Sequence, residues 1–299
     1  MPRLRLSGSH AQLEARKDGG RINPGHLFGI QARARRDCRA TDELQVAARG
    51  SVATLVLNRP AKRNAITLEM WKALPAVLGD LASDPAIRVL VIRGAGEEAF
   101  AGGADISEFE RVRRDIASGR RYSRTVERAE RALVAYPRPT IAMIHGFCVG
   151  GGLEVALACD LRFASRTSRF GITAARLGIV YGYASTRRLA SVVGPSHARD
   201  LLFSGRLVGT EEALAMGLVN RVRDPEALEP ETYEYARRLA EQAPLSQTGA
   251  KLMLRYALGD GEVPASDLSA CVEQAYESDD YREGVRAFLS KRPPRFHGR

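Results

Sequence analysis

Five short apolar runs along the chain predict buried β-strands. They are Val52–Leu57, Arg88–Arg93, Thr140–Ile144, Asp160–Ala164 and Arg169–Ile172. The first three are rich in aliphatic residues, and all five are too short for a helix of ordinary length. Helical patterns lie between several of them, and this succession of strand, helix and strand predicts mostly parallel pairing in an α/β fold.

Helical periodicity fills the segments between and after these runs. Thr67 is a predicted N-cap for a helix from Leu68 to about Leu81, which Pro75 is expected to kink or split. The strongly charged residues 107–135 predict a helical lid over a binding cleft, with a solvated helix as the alternative. Beyond Gly178 the pattern predicts helices at 184–193, 196–204, 210–216, 225–243, 246–258 and 266–290.

Two glycine-containing turns follow predicted strands and could bring backbone N–H groups to a ligand. Gly150–Gly152 lies between the run that ends at Ile144 and a helical pattern that carries Glu154. Glycines allow close approach and positive φ, and the free N–H groups of the following helix point back at this corner. A second turn, residues 102–105, follows the strand that ends near Gly94. Together they predict an oxyanion site with two N–H donors and the Glu154 carboxylate within reach.

Composition excludes several classes of protein. The 299 residues, 44% of them hydrophobic, suffice for one large domain or two modest ones. No run of about twenty apolar residues predicts a membrane span. The four cysteines, Cys38, Cys148, Cys159 and Cys271, lack paired Cys/His spacing. This argues against a zinc site or a disulfide scaffold and favours the reducing cytoplasm.

Basic charge is concentrated in the N-terminal segment. The net charge is +10, and residues 1–40 hold nine Arg or Lys residues against three acids. Residues 1–43 show no sustained periodicity, so we predict a disordered or loosely attached extension. A solvated or non-native extension, an organellar transit peptide, and an arm for nucleic acid or another anionic surface all fit this composition.

Three ordered motifs carry a family resemblance. They are N-R-P at residues 58–60, F-A-G-G-A-D-I at 100–106, and H-G-F-C-V-G-G-G-L-E-V-A-L-A-C-D at 145–160. Together they resemble the crotonase (enoyl-CoA hydratase/isomerase) superfamily, from about Leu44 to the C-terminus. The resemblance implies a spiral core of repeated ββα units at residues 44–205. It also implies a C-terminal helical region at 206–299 that builds a homotrimer or hexamer, an acyl-CoA substrate, and no cofactor, because coenzyme A is part of the substrate.

The resemblance also assigns residues to the site. The backbone N–H groups of Ala104 and Gly151 would form the oxyanion hole, and Glu154 would hold and activate water. The positions that match the family's coenzyme A contacts are Lys62, Arg63, Gly102, Ala104, Asp105, Ile106, Phe288 and Lys291. Phe288 and Lys291 would meet the adenine end of coenzyme A bound to a neighbouring subunit, where a lysine suits the ribose phosphate.

One position departs from the family pattern. A second catalytic glutamate normally ends a Phe-Gly-x-Pro-Glu stretch, but residues 170–174 read F-G-I-T-A and place Ala174 there. Loss of a positioned acid–base group typically costs about 10²–10⁴-fold in rate, which puts two-carboxylate hydration in doubt. Family decarboxylases of malonyl-type CoA thioesters also lack this glutamate and carry a tyrosine at the place of Tyr181. Decarboxylation is therefore one alternative.

Two further classes of protein are alternatives to the acyl-CoA enzyme. Some relatives of this fold bind RNA, and the Arg-rich extension could serve a weakly active RNA-binding protein, although nucleic acid is not the expected partner. A serine hydrolase is disfavoured, because the sequence contains no G-x-S-x-G turn.

Overall fold

The computed structural model describes residues 33–34, 41–260 and 263–299, so most of the predicted extension at residues 1–43 lies outside the described residues. The strands of this part are β1 (Arg33–Ala34), β2 (Leu44–Arg49), β3 (Val52–Leu57), β4 (Val89–Gly94), β5 (Ala99–Ala101), β6 (Thr140–Ile144), β7 (Phe147–Val149), β8 (Leu161–Ser165), β9 (Arg169–Gly171), β10 (Leu207–Gly209) and β11 (Arg221–Arg223). Its α-helices are α1 (Leu68–Ser83), α2 (Phe109–Val112), α3 (Ile116–Val134), α4 (Gly151–Ala158), α5 (Tyr183–Ser204), α6 (Thr210–Ala215), α7 (Pro225–Ala240), α8 (Pro244–Ala257), α9 (Ala265–Glu277) and α10 (Asp279–Leu289).

The strands divide between two sheets according to their place in a repeated strand–strand–helix order. The units are β4-β5-α3, β6-β7-α4 and β8-β9-α5. Their first strands run parallel to one another and to β3 in a sheet of order β1-β2-β3-β4-β6-β8-β11. Their second strands run parallel in a smaller sheet of order β10-β9-β7-β5. The predicted α/β class, its repeated ββα units and the parallel pairing are confirmed.

The central strands of the large sheet are buried on both faces. Val89 and Val91 of β4 pack with Leu228 and Ala236 of α7 on one side. Leu90 and Ile92 of the same strand belong to the main core on the other side, which also contains residues of α1, α3 and α4. Because successive side chains of a strand point to opposite faces, a strand between two apolar layers must be apolar throughout. This explains the unbroken apolar runs of the sequence.

The first helix forms as predicted at its start but not at its middle. The Thr67 hydroxyl accepts the backbone N–H of Met70 at 3.2 Å and so caps α1. Pro75 lies inside α1, but the helix continues through it to Ser83 and does not split. The proline removes one helical hydrogen bond, whereas the buried apolar face of the helix, which includes Trp71 and Leu78, holds both halves on the core.

Two segments predicted as single helices are each divided by a capping side chain. Residues 107–135 are interrupted between α2 and α3, where Asp115 and Ser118 form a capping box. Residues 266–290 are interrupted at Ser278, whose hydroxyl accepts the Tyr281 N–H at 3.0 Å and starts α10. The two helices predicted at 184–193 and 196–204 are confirmed, because α5 is divided by a kink at Gly194, where φ is +76° and the backbone is not helical.

Several short strands were not predicted. β5, β7, β10 and β11 are three residues each, too short to show alternation, and β2 is a six-residue strand that pairs antiparallel with β3. β10 and β11 lie in the region predicted as helical throughout. β10 extends the small sheet by pairing with β9, and β11 extends the large sheet by pairing with β8. No helix in the described part of the chain is long and apolar enough to cross a bilayer.

Candidate active site

The two glycine-containing turns lie side by side because they follow neighbouring parallel strands, β5 and β7. Gly103 has φ +117° and Gly150 has φ +50°, conformations that favour glycine. A Cβ placed on Gly151 would lie 3.3 Å from the amide nitrogen of Ala104. Within the described residues neither the Ala104 N–H nor the Gly151 N–H donates to a protein acceptor. Two unused donors therefore lie close enough to serve one oxygen atom.

The first turn is held by a neighbouring loop that follows β3. The Gly102 N–H donates to the Arg63 carbonyl at 2.7 Å, and the Ile66 N–H donates to the Gly103 carbonyl at 2.8 Å. The Asp105 N–H in turn donates to the Ile66 carbonyl at 3.0 Å. These backbone bonds fix the peptide units on both sides of Ala104, so its N–H is held in place before any ligand arrives.

The second turn is held by close packing. A Cβ on Gly152 would lie 2.4 Å from the Ala101 carbonyl oxygen, so only glycine fits there. A Cβ on Gly151 would lie 3.2 Å from the Trp71 ring. The glycines thus let the start of α4 approach β5, which brings the helix N-terminus and its unpaired N–H groups to the site.

A cavity of about 300 Å³ opens in front of these two turns. Of the predicted site residues it is lined by Gly102, Ala104, Ile106, Gly151, Glu154 and Tyr181. Ala174 also lines it, at the place where the family pattern has its second glutamate. The segments predicted as a lid contribute Phe109, Tyr122 and Val126 to the wall.

The surroundings of the Glu154 carboxyl disfavour its ionised form. Burial, and then the negative charge of Glu130, raise the pKa of Glu154 to about 8, while the hydroxyls of Tyr181 and Ser185 act in the opposite direction. Burial also raises the pKa of Tyr181, and Glu154 adds to that shift. The Tyr181 hydroxyl is buried and has no hydrogen-bond partner among the described residues. Glu154 can therefore hold a proton at neutral pH and exchange it with a ligand.

A second carboxyl in this cavity, that of Glu130, was not predicted. Glu130 is 2% exposed, and the Ser185 hydroxyl lies 2.9 and 3.0 Å from its two carboxyl oxygens. Arg188 lies 3.4 Å away. The signal in the sequence was periodicity, because Glu130 shares the buried face of α3 with Tyr122 and Leu133. A glutamate on the apolar face of a helix is a candidate functional residue, because burying its charge is costly.

The remaining predicted coenzyme A contacts lie outside the cavity. Asp105 pairs with Arg59 at 2.9 Å, and the Ser107 hydroxyl is the main cause that lowers the pKa of Asp105. Arg63 is exposed, pairs with Glu98 at 2.7 Å and lies over a phenylalanine ring; Lys62 ends the adjacent 3₁₀ turn.

Phe288 and Lys291 lie at the end of α10, away from this cavity. Phe288 is 83% exposed and lines an apolar groove between α8, α9 and α10. The chain therefore does not bring Phe288 or Lys291 to its own cavity, and their contact with coenzyme A of a neighbouring subunit stays a prediction.

Comparison with known proteins agrees with this geometry. The family model described as Enoyl-CoA hydratase/isomerase matches residues 47–299. The chain is 32% identical over 244 residues to a short-chain-enoyl-CoA hydratase of Clostridium acetobutylicum, covering 81% of this chain and 93% of the relative. It is also 32% identical over 250 residues to a crotonyl-CoA hydratase of Syntrophomonas wolfei, with 82% and 94% covered.

Solved structures show the same relationship. An enoyl-CoA hydratase/carnithine racemase from Magnetospirillum magneticum superposes with a TM-score of 0.82 at 36% identity, covering 87% of this chain and 97% of the other. These matches confirm the crotonase-like fold that the three motifs indicated. The chain belongs to the enoyl-CoA hydratase/isomerase family of the crotonase superfamily and is an enzyme of that type.

Proposed function

We propose that the chain adds water across the double bond of a short-chain 2-enoyl-CoA thioester. One observation carries the proposal: the unpaired N–H groups of Ala104 and Gly151 and the carboxyl of Glu154 face the same cavity. The relatives named short-chain-enoyl-CoA hydratase and crotonyl-CoA hydratase support this choice of substrate.

The two N–H donors would act on the thioester oxygen. When a nucleophile adds to Cβ of an enoyl thioester, electrons move through Cα to this oxygen, and an enolate forms. Donors fixed before the reaction stabilise the negative charge without reorganising, which is worth about 3–4 kcal/mol per donor in well-studied enzymes. The backbone bonds around Ala104 and the close packing at Gly152 supply this rigidity.

Glu154 would carry out both proton transfers of the reaction. Its carboxylate takes a proton from water while the water oxygen bonds to Cβ and the enolate forms. The resulting carboxylic acid then donates that proton to Cα, the enolate collapses to the thioester, and the carboxylate is regenerated. Because Ala174 supplies no acid, one carboxyl takes and returns the proton. A base whose pKa lies near 8 suits this double role better than one near 4.5.

Mass spectrometry with crotonyl-CoA in ¹⁸O-labelled water tests this proposal. We expect the product to gain one labelled water, and Glu154→Gln to lower kcat/KM by about 10²–10⁴-fold while the protein stays folded. Glu69→Gln, which removes an exposed carboxylate of α1 away from the cavity, serves as the charge-matched control. Absence of hydration in the wild type, or a Glu154→Gln variant within about tenfold of it, would refute the proposal.

Decarboxylation of a malonyl-type CoA thioester is the second candidate. The observation that favours it is the unpartnered buried hydroxyl of Tyr181 in a cavity where Ala174 replaces the second glutamate. There the C–C bond to the carboxylate breaks, CO₂ leaves, the electrons form the same enolate, and Tyr181 donates a proton to Cα. Release of CO₂ from methylmalonyl-CoA that falls in Tyr181→Phe, without hydration of crotonyl-CoA, would favour this reaction.

Three further expectations belong to the same proposal. The chain would form a homotrimer or hexamer, would need no resident cofactor, and would act in the cytoplasm. The exposed apolar side chains of Phe288 and Leu289 on α10 support self-association. Light scattering should give about three or six times the 32.6 kDa chain mass, and a monomeric mass would exclude the subunit-spanning contact of Lys291.

A further inference from the structure

Glu130 places a second carboxyl in the wall of the cavity that holds Glu154. It comes from α3, whereas Glu154 comes from α4, and both line the same space. The hydration steps proposed above do not use Glu130. A carboxyl that is 2% exposed on an otherwise apolar helix face is costly to bury, so its presence requires a reason.

The Glu130 carboxyl is fixed from the side of α5. The Ser185 hydroxyl reaches both carboxyl oxygens, at 2.9 and 3.0 Å. Arg188 lies 3.4 Å from one of them and 3.4 Å from the Asp260 carboxylate. Arg187 pairs with the same Asp260 carboxylate at 3.0 Å, so the cluster holds two guanidinium groups and two carboxylates. Within it, the cation that pairs with Glu130 is Arg188, which Glu130 shares with Asp260.

Glu154, by contrast, forms no ion pair with any residue that the structure describes. The charged and titratable groups that face the two carboxyls are Arg113, Tyr122 and Glu127 from the side of α3, Tyr181 and Arg188 from the side of α5, and Asp260 after α8. Of these, Arg113 is the cation that acts on Glu154, and its guanidinium is stacked on the rings of Phe109 and Tyr122.

We propose that Glu130 is a positioning residue that makes Glu154 a stronger base through its fixed negative charge. Like charges in one dry cavity oppose each other, so a proton on Glu154 is favoured while Glu130 stays anionic. Ser185 and Arg188 stabilise the Glu130 anion and so direct the proton to Glu154. Glu130 on α3 and Glu154 on α4 thus place two carboxyls in the cavity, although Ala174 stands where the family pattern has its second glutamate. The catalytic consequence rests on the proposed hydration, but the charge coupling does not.

The pKa values agree with this assignment. Glu130 is the largest charge effect among those that raise the pKa of Glu154, second only to burial. The pKa of Glu130 is itself raised, because burial outweighs the opposing effects of Arg188 and Ser185. The anion at Glu130 is nevertheless supported by its ion pair with Arg188 and its contacts with the Ser185 hydroxyl, whereas no ion pair of the described residues supports it at Glu154.

An infrared pH titration without substrate tests the coupling. The band of buried protonated carboxyl groups is assigned to Glu154 by its loss in Glu154→Gln. We expect Glu130→Gln to move the Glu154 midpoint to lower pH by about one unit or more, because coupled buried groups interact on that scale. Glu127→Gln removes a charge from the same helix, one turn away, where the carboxylate pairs with Arg131, and should move the midpoint by less than about a third of that.

The rate profile then tests the catalytic consequence. In Glu130→Gln the rising limb of kcat/KM for crotonyl-CoA should shift to lower pH with the infrared midpoint, and the plateau should fall, because a weaker base removes the proton of water less well. A merely structural role of Glu130 would lower the rate without shifting the limb.

Other outcomes overturn the inference. An unmoved Glu154 midpoint in Glu130→Gln, or an equal shift in Glu127→Gln, contradicts it. If Glu130→Gln does not fold, the wild type decides: coupled carboxyls lose their protons in two steps separated in pH, and a single step contradicts the inference. A shifted midpoint in a protein that does not hydrate crotonyl-CoA would sustain the coupling and refute only the proposed function.

Discussion

At the scale of single residues, the protonation of Glu154 links the chemistry of the site to the stability of the fold. The folded protein keeps a proton on Glu154 up to about pH 8, because burial and Glu130 disfavour the carboxylate. In the unfolded chain the same side chain is hydrated and releases its proton near pH 4.5. The site therefore gains a useful base at the expense of stability at neutral and alkaline pH.

The variant Glu154→Gln should reveal this linkage. Between about pH 4.5 and about pH 8 the folded state binds more protons than the unfolded state, so the free energy of unfolding falls as pH rises. The contribution is complete below about pH 4.5 and is lost as pH rises through about 8. Glutamine does not titrate, so the free energy of unfolding of the variant should rise relative to that of the wild type by up to about 1.4 kcal/mol for each pH unit in this window.

Urea unfolding at several pH values from 5 to about 8 measures the difference. Glu69→Gln, at an exposed position of α1, should follow the wild type throughout. If the free energies of unfolding of Glu154→Gln and the wild type differ by the same amount at every pH, the pKa of Glu154 is not raised in the folded protein.

At the scale of elements, the loop between β3 and α1 holds the glycine-containing turn at Ala104 in place. Asn64 is its anchor: it is 1% exposed, has φ +54°, and its side-chain amide donates to the carbonyls of Ala95 and Ala99 at 3.0 and 2.7 Å. The side-chain oxygen of Asn64 accepts the backbone N–H of Arg59 at 2.9 Å. One side chain thus connects the loop to the segment that leads into β5 and the turn at Ala104.

Replacement of Asn64 by alanine should weaken this connection. The change leaves two buried carbonyls without their donor, and alanine tolerates the left-handed backbone poorly, so we expect a loss of about 2 kcal/mol or more in the free energy of unfolding. Asn58→Ala removes a similar amide whose bond to the Asp42 carbonyl is exposed, and should change stability by less than about 0.5 kcal/mol. Equal losses in urea unfolding would show that Asn64 is not an anchor.

At the scale of the whole molecule, the residues after α10 connect the C-terminal helices to the core. The Asp280 carboxylate, 3% exposed, accepts the backbone N–H groups of His297 and Gly298 at 2.6 and 2.7 Å. Arg88, just before β4, donates to the Phe296 carbonyl at 3.0 Å. The Phe296 side chain lines the apolar groove between α8, α9 and α10. The last residues therefore connect the groove helices to the start of β4, the central strand of the large sheet.

Asp280→Ala should release this connection, whereas Asp279→Ala should not. Two hydrogen bonds to a buried carboxylate are lost at Asp280, which we expect to cost about 1.5–3 kcal/mol. The neighbouring Asp279 carboxylate is 69% exposed and pairs with Arg282 on the surface, so its loss should cost at most about 0.5 kcal/mol. Thermal unfolding of the two variants provides the comparison, and a similar drop in Tm for both would contradict the role of Asp280.

The features predicted correctly from sequence depend on a few consecutive residues. The cap at Thr67, the glycines before Glu154, and the apolar runs of β3, β4 and β6 are each set by local backbone preference or by burial on both faces of a strand. The same locality explains why three short motifs sufficed to indicate the superfamily and two glycine-containing turns that lie, with Glu154, at one cavity. Helix boundaries were less accurate where a single capping residue, such as Asp115 or Ser278, decides them.

The tertiary structure alone decided which distant residues share the cavity. Glu130 and Ser185 are 55 positions apart, and no local pattern relates them. β10 and β11 are strands because β9 and β8 pair with them, although their own residues carry no strand signal. The sequence by itself determined the longer helices and most of the strands of the large sheet, the glycine corner and one carboxyl. Packing of α3 and α5 around that corner added the second carboxyl and the raised pKa of the first, since burial and charge proximity exist only in the folded chain.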